Sequence, residues 1–387
     1  MNQEPRVAVT GLGVLCAGGA DEDAFFRLLC SGTTALRSEP ARSPPGLGPI
    51  ALVPQGGDES ELGERASWLA LQAALQALGP TGPPPLPPER LGVVVGTTSG
   101  GKALWLEALA CGGPARGDWT YGAPARAVAQ RVGAGVVEVV SVACASGNAA
   151  LGTALDLIRE GTCDAVLAGG VDVLTDFVLS GFAALRAHAR GPCRPFDRDR
   201  DGLSLGEGAA FLLLEAAPLA RARGRRVRAW LDGYGVACDA THMTGPDREG
   251  GGAARAMAAA LAEAGASPEE VDFVSLHGTG TRYNDLMEAR GLASALGPRA
   301  ATVPVNSIKG AIGHTLGAAA ALEAVMAVRA LEAQLVPPTA GLQVQDPEIP
   351  LRVVHEVPLR TRLETVLSTA SGFGGLNAAV LLRRGDR

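Results

Sequence analysis

Lysine is almost missing from this chain: of its 34 basic residues only Lys102 and Lys309 are lysines. Aromatic side chains are also scarce, at 4%. No apolar run approaches the roughly 18 residues of a membrane span, and the N-terminus enters a strand pattern (VAVTGLG) with no basic region and apolar stretch before it. We therefore expect neither a membrane span nor a signal peptide. The seven cysteines (Cys16, Cys30, Cys111, Cys144, Cys163, Cys193 and Cys238) show no CxxC or paired spacing, which excludes an obvious disulfide framework or zinc site and fits a reducing cytoplasm. A net charge of −6 with no long basic block gives no support for nucleic-acid binding, and the cluster RARGRRVR at 221–228 reads as a solvated helix end and turn.

What remains is a chain of 387 residues, 47% hydrophobic, long enough for a large core. Strand and helix patterns alternate along it. VAVTGLG is followed by a helix near 21–29, a Pro/Gly-rich loop near 39–57, a helix near 67–78, a Pro-rich surface connection at 80–92 and the strand LGVVVGTT. That alternation predicts an α/β sandwich, and the continuous apolarity of VVEVVSVA and DAVLAGGVDVL predicts strands buried on both faces. From about residue 226 the theme recurs, with RVRAWLDGYGV, an alanine-rich helix and VDFVSLHGTGT, so the element order suggests two similar halves, 1–225 and 226–387.

Each half contains a junction where a strand runs into a helix of small residues. In the first, SVACASGNAALGTALDLI, a thiol at Cys144 would meet the positive end of a helix, which lowers its pKa, while Ala143, Ala145, Ser146 and Gly147 would leave room for a bulky acyl group. Those are the marks of a nucleophile. The second half places His277 in LHGTGTRYND and His314 in IKGAIGHTLGAAA, both among glycines that allow close approach; His188, His242 and His355 lack such surroundings. Lys309, kept five positions before His314 in a chain that otherwise uses arginine, suggests a need for a compact, tunable ammonium, with Glu323 as its natural buried partner.

Taken in order, SVACASG, RPFDRDRDGLSLGEGAA, HGTGTRYNDLMEA and NSIKGAIGHTLGAAAALEA resemble the motifs of the β-ketoacyl-acyl carrier protein synthases, from VTGLG near the start to SGFGGLN near the end. The resemblance implies a thiolase-like, five-layered αβαβα sandwich of two halves and a decarboxylative Claisen condensation needing no metal or other cofactor. Its partners would be an acyl carrier protein and a second subunit, identical or related. Cys144 would carry the acyl chain, His277 and His314 would hold the malonyl enolate through Nε2, and Lys309 and Glu323 would hold His314 in its working tautomer. The N–H groups of Cys144 and Phe373 would form the oxyanion hole, with Gly372, Gly374 and Gly375 freeing Phe373 to swing as a gate. Thr279 and Thr281 would bind the pantetheine arm.

The chain also departs from the common pattern. Ser371 stands in place of a phenylalanine, Leu203 and Ser204 in place of a glycine-aromatic pair, and Arg282 and Tyr283 in place of proline-leucine. These departures suggest a reshaped acyl pocket, and NSIK with GTTSGG resembles synthases of polyene and other specialised pathways. Three other readings stay open: a thiolase, which would need a second C-terminal cysteine; a chain-length-factor subunit, which normally lacks the nucleophile; and a dinucleotide-binding protein on VTGLGVLCAGG, whose glycine spacing is incomplete.

Overall fold

Apolar segments rich in valine and leucine form the strands, and alanine-rich segments the helices between them. The computed structural model describes residues 5–39, 47–54, 64–114 and 117–386, so parts of the expected 39–57 loop lie outside the described residues. The first half contributes strands β1 (Val7–Cys16), β2 (Leu91–Gly96), β3 (Val136–Val140), β4 (Ala165–Asp172) and β5 (Gly208–Ala216). Its helices are α1 (Glu22–Ser31), α2 (Arg65–Leu78), α3 (Lys102–Cys111), α4 (Ala123–Val132), α5 (Ser146–Arg159), α6 (Asp176–Ala184) and α7 (Ala217–Ala222). The second half contributes β6 (Ala229–Cys238), β7 (Phe273–Ser275), β8 (Pro304–Asn306), the two-residue strands β9 (Leu335–Val336), β10 (Arg352–Val353) and β11 (Leu359–Arg360), then β12 (Thr365–Gly372) and β13 (Leu376–Arg384). Between them run α8 (Gly251–Glu263), α9 (Arg282–Leu296), α10 (Lys309–Ile312) and α11 (Ala319–Ala333).

The large sheet runs β10-β8-β7-β12-β13-β6-β1-β5-β4-β2-β3. Outward from the central β6/β1 pair, the first half reads first, fifth, fourth, second and third strand in chain order, and the second half repeats that order with β6, β13, β12, β7 and β8. The seam itself is short, joining only Val7, Ala8 and Val9 to Leu231, Trp230 and Ala229. Helices α5 and α11 pack on each other between the half-sheets, α2 and α4 cover one outer face, and α8 and α9 the other. This makes five layers, α/β/α/β/α, the thiolase-like architecture expected from the sequence. Helix α11 is buried on almost every side, as a helix between two sheets must be.

The basic cluster turns out to be structural rather than merely solvated. Arg223 pairs with buried Glu215, and Arg228 binds Glu22 at 2.7 Å and Glu332 at 2.7 Å, so the turn between the halves is tied to α1 and α11.

Candidate active site

The first junction is a strained one. Ala143 adopts φ +51°, a left-handed conformation uncommon outside glycine and found where surrounding structure enforces it. The enforcing group is Ser146, whose hydroxyl donates to the Ala143 carbonyl at 2.5 Å and accepts the Val142 N–H at 3.0 Å. The turn aims Cys144 into a cavity of about 530 Å3.

The small residues around Cys144 have a different purpose from the one expected. None of Ala143, Ala145, Ser146 or Gly147 lines the cavity. A Cβ on Gly147 would sit 2.5 Å from the Ala321 backbone nitrogen, and Ala145 packs with Ala320, Ala370 and Ala378, so these residues let α5 and α11 cross closely. Gly372 has a related duty: a Cβ there would lie 2.9 Å from the Cys144 nitrogen, so the end of β12 rests directly on the nucleophile's backbone.

Cys144, His277 and His314 are all buried, and one ligating atom from each lies within 4.8 Å of the others. The two imidazoles meet edge to face, with centroids 5.1 Å apart. Hydrogen bonding fixes both tautomers. His314 Nδ1 accepts the Leu316 N–H at 3.1 Å, which leaves the proton on Nε2. His277 Nδ1 lies 3.1 Å from the Lys309 ammonium, which can only donate, so its proton also sits on Nε2. Burial, then the Lys309 charge, push both imidazoles well below their ordinary pKa, so both are neutral at pH 7.

Lys309 therefore supports the other histidine from the one expected. Its ammonium bonds the His277 carbonyl at 2.6 Å and Glu323 at 2.5 Å, while His314 is held by backbone alone. The reason is local geometry. Gly313, at φ +72°, ends the short α10 and turns His314 back toward Ser204, whose carbonyl accepts its N–H, while the Lys309 side chain reaches the end of β7.

The thiol also departs from expectation. Burial pushes Cys144 up to about 12, the Lys309 charge pulls it down, and Asp172 and Glu323 push it up. A helix start contributes at most ~2 kcal/mol, under about 1.5 pKa units, less than the rise from 9.0 to about 12. Burial wins, and the resting group is a thiol. Alkylation of Cys144 by iodoacetamide should therefore accelerate about tenfold per pH unit between 7 and 10, because the thiolate fraction is still growing there. A plateau by pH 8 in peptide mapping would show a lowered pKa instead.

Several residues that sequence reasoning passed over hold this arrangement. The Glu288 carboxylate accepts the N–H groups of His277 and Gly278, each at 2.6 Å; burial raises its pKa to about 8. Asp285 accepts from Thr279, Gly280 and Phe196 backbone. Asp172 ties Thr97, Thr98 and Ser99 of the first half to Gly317 of the second. Each is an acid at a strand end or on the first turns of a helix just after a glycine loop, a pattern visible in the sequence.

The cavity wall includes Phe182, Leu203, Ser371 and Phe373, with Thr279 and Thr281 on it and Arg282 and Tyr283 exposed near its opening. Phe373 is 37% exposed and stacks on Phe182. Ser371 donates to Asn377, which in turn donates to Asp239, forming a polar wall. Ser204, expected beside Leu203 in the pocket, does not line it: its hydroxyl accepts the Cys193 N–H instead. Gly374 also lies behind the wall, at φ +87°, with its N–H donated to the Met243 carbonyl.

Residues 58–220 match the family description "Beta-ketoacyl synthase, N-terminal domain", and residues 228–343 match "Beta-ketoacyl synthase, C-terminal domain". The chain is 38% identical to the tetracenomycin polyketide synthase ketoacyl synthase alpha subunit of Streptomyces glaucescens, over 98% of this chain and 97% of that one. It is 35% identical to nodulation protein E of Rhizobium sp. (strain N33), over 98% and 99%. Among solved structures it resembles the ishigamide ketosynthase/chain length factor, with a TM-score of 0.91, 32% identity and coverage of 98% and 99%. A second, a type II PKS acyl-carrier protein in complex with its ketosynthase bound to the hexaketide, gives 0.90, 31%, 99% and 100%. With both family domains matched in order and the fold shared along its length, the chain belongs to the β-ketoacyl synthase family.

Proposed function

We propose that the protein extends a polyketide chain by decarboxylative Claisen condensation with a malonyl-acyl carrier protein. The observation that carries this reading is a buried thiol facing two neutral imidazoles that both present Nε2–H. Cys144 Sγ attacks the thioester carbonyl of an acyl carrier protein, and the carrier's thiol leaves with the proton. The tetrahedral oxyanion is met by the N–H groups of Cys144 and Phe373, a pairing supported by the contact of Gly372 with the Cys144 nitrogen. A malonyl carrier follows, held along its pantetheine arm by Thr279 and Thr281. As its C–CO2 bond breaks, negative charge moves to the thioester oxygen, where His277 and His314 donate hydrogen bonds. The carbanion attacks the acyl-cysteine, the Cys144 thiolate leaves and regains a proton, and the product is a β-ketoacyl carrier two carbons longer.

No cofactor takes part in this sequence. A thiol and two imidazoles could in principle bind a metal, but the adjacent Lys309 ammonium opposes a cation. Cys144 argues against a non-catalytic chain-length-factor role, and GFGGLNAAVLL has no second cysteine for a thiolase. The condensation is proposed to take place in the cytoplasm; among the described residues no helix is long and apolar enough to cross a membrane. The strand order supports treating 1–225 and 226–387 as duplicated halves. Mixing the protein with malonyl- and acyl-carrier thioesters tests the reading: β-ketoacyl carrier and CO2 are expected in equal amounts, and malonyl turnover without a C–C bond would overturn it.

A dimer follows from the edge of the sheet. β3 is terminal, pairs only with β2, and exposes much of VVEVV, while the nearly apolar helix α3 buries none of its residues and exposes Trp105 and Leu109. A second copy or a related synthase subunit would cover this edge strand. Light scattering at micromolar concentration should give at least twice 39.3 kDa, or a complex with the related subunit; a fully active species of 39.3 kDa would end the claim.

A further inference from the structure

Beside the acyl cavity stands a histidine for which the condensation has no use. Both ring nitrogens of His188 are buried and, among the described residues, neither has a hydrogen-bond partner. Native proteins rarely leave a donor and an acceptor on one ring unmet, so the site calls for a polar group not contributed by the chain itself. Its position says where that group would come from. The His188 ring meets Phe182 edge-on at 6.1 Å and 75°, and Phe182 stacks on Phe373 at 5.8 Å and 24°. Ala187 lines the cavity next in sequence, and Leu203, bridged to the His188 backbone, lines it as well. The imidazole thus lies directly behind the wall formed by Phe182, Ala187 and Leu203. That wall is lightly held, since α6 buries only Val178 and Leu179.

We infer that His188 is a specificity-determining residue that hydrogen-bonds a keto or hydroxyl oxygen on the acyl chain held by Cys144. This rests on the condensation proposed above and narrows its substrate to chains that keep oxygen along their length. A saturated chain offers the imidazole nothing, and the ring stays unpaired when that chain fills the cavity. An oxygenated chain of equal length gains a neutral hydrogen bond from a ring whose nitrogens are buried, and selectivity against an analogue that leaves a buried polar group unmet is the larger for it. The ring contributes through binding and moves no proton in the reaction. Contact with the chain requires the ring to turn toward the cavity past Phe182, the side chain it meets edge-on.

The test is a series of equal-length acyl-carrier donors, one saturated and the others carrying a single ketone at successive carbons, with kcat/KM measured for each. In the wild type the ratio of ketone to saturated donor should peak at one chain position. His188→Leu should lower that peak ratio about tenfold, and His188→Gln, which keeps a donor and an acceptor, should retain most of it. A flat wild-type profile, an unchanged ratio in His188→Leu, or an equal fall in both variants would overturn the inference. Absence of condensation with every donor in the wild type would instead overturn the proposed function, so the two failures are separable. Should His188→Leu not fold, the wild type supplies a second readout. The His188 imidazole 15N resonances, assigned by their loss in His188→Gln, should shift when Cys144 carries the best ketone chain and not when it carries the saturated one. No shift overturns the assignment.

Discussion

Replacing Cys144 by alanine or serine abolishes acyl transfer, by about 10^4-fold or more, while the protein still folds. Alanine removes the atom that holds the chain, and serine substitutes an alcohol whose proton is harder still to remove. The side chain is 8% exposed and its replacement is small in volume, so the melting temperature should stay within a few degrees. Mass spectrometry of the intact protein after incubation with acyl carrier checks the first half-reaction directly: the wild type gains one acyl group and neither variant does. An acyl adduct in Cys144→Ala, or retained condensation in either variant, would remove Cys144 from its role.

The second large effect separates the two half-reactions. His277→Ala and His314→Ala should each lower malonyl decarboxylation about 10^2 to 10^3-fold, because charge on the thioester oxygen develops only as CO2 departs. Loading of Cys144 should survive in part. Equal loss of loading in both variants would point to collapse of the site. Since Lys309 touches His277 and not His314, Lys309→Ala should resemble a partial His277 defect, and Lys309→Arg should not restore it, given the planar head group. Lys309→Ala also strands the buried Glu323 carboxylate, which costs roughly 3–5 kcal/mol. The pair Lys309→Met with Glu323→Gln removes that charge and isolates the effect on chemistry.

Much of this site was legible from the residues. Cys144 and His277 each stand just after a strand, in a small-residue or glycine-rich turn, and His314 follows the glycine that ends a short helix; such turns leave a local trace in sequence. Lys309 was legible for another reason, its rarity. Its partner was not, because proximity along the chain pointed to His314, whereas Gly313 reverses direction and the lysine spans to β7. Cys144 shows the complementary limit: a helix start is visible locally, but the burial that outweighs it is a property of the assembled layers. The same holds for the small residues beside it, whose purpose is set by α11, more than 170 positions away. The recurrence of strand and helix patterns along the chain was readable because alternation of elements is a local signal; the order of the strands across the sheet and the short seam were not.

The boundary between the two halves also runs through the active site. Asp172 joins the loop at 97–99 to Gly317, so the reacting atoms are assembled from both repeats, the sulfur from one and the two imidazoles from the other. The cavity wall is shared in the same way, with Phe182, Ala187 and Leu203 on the sulfur's side and Thr279, Ser371 and Phe373 on the side of the imidazoles. Such a division means that a change on either side alone alters only part of the wall around the chain. Acceptance of a new chain with the chemistry intact accordingly calls for paired substitutions, one on each side of the cavity.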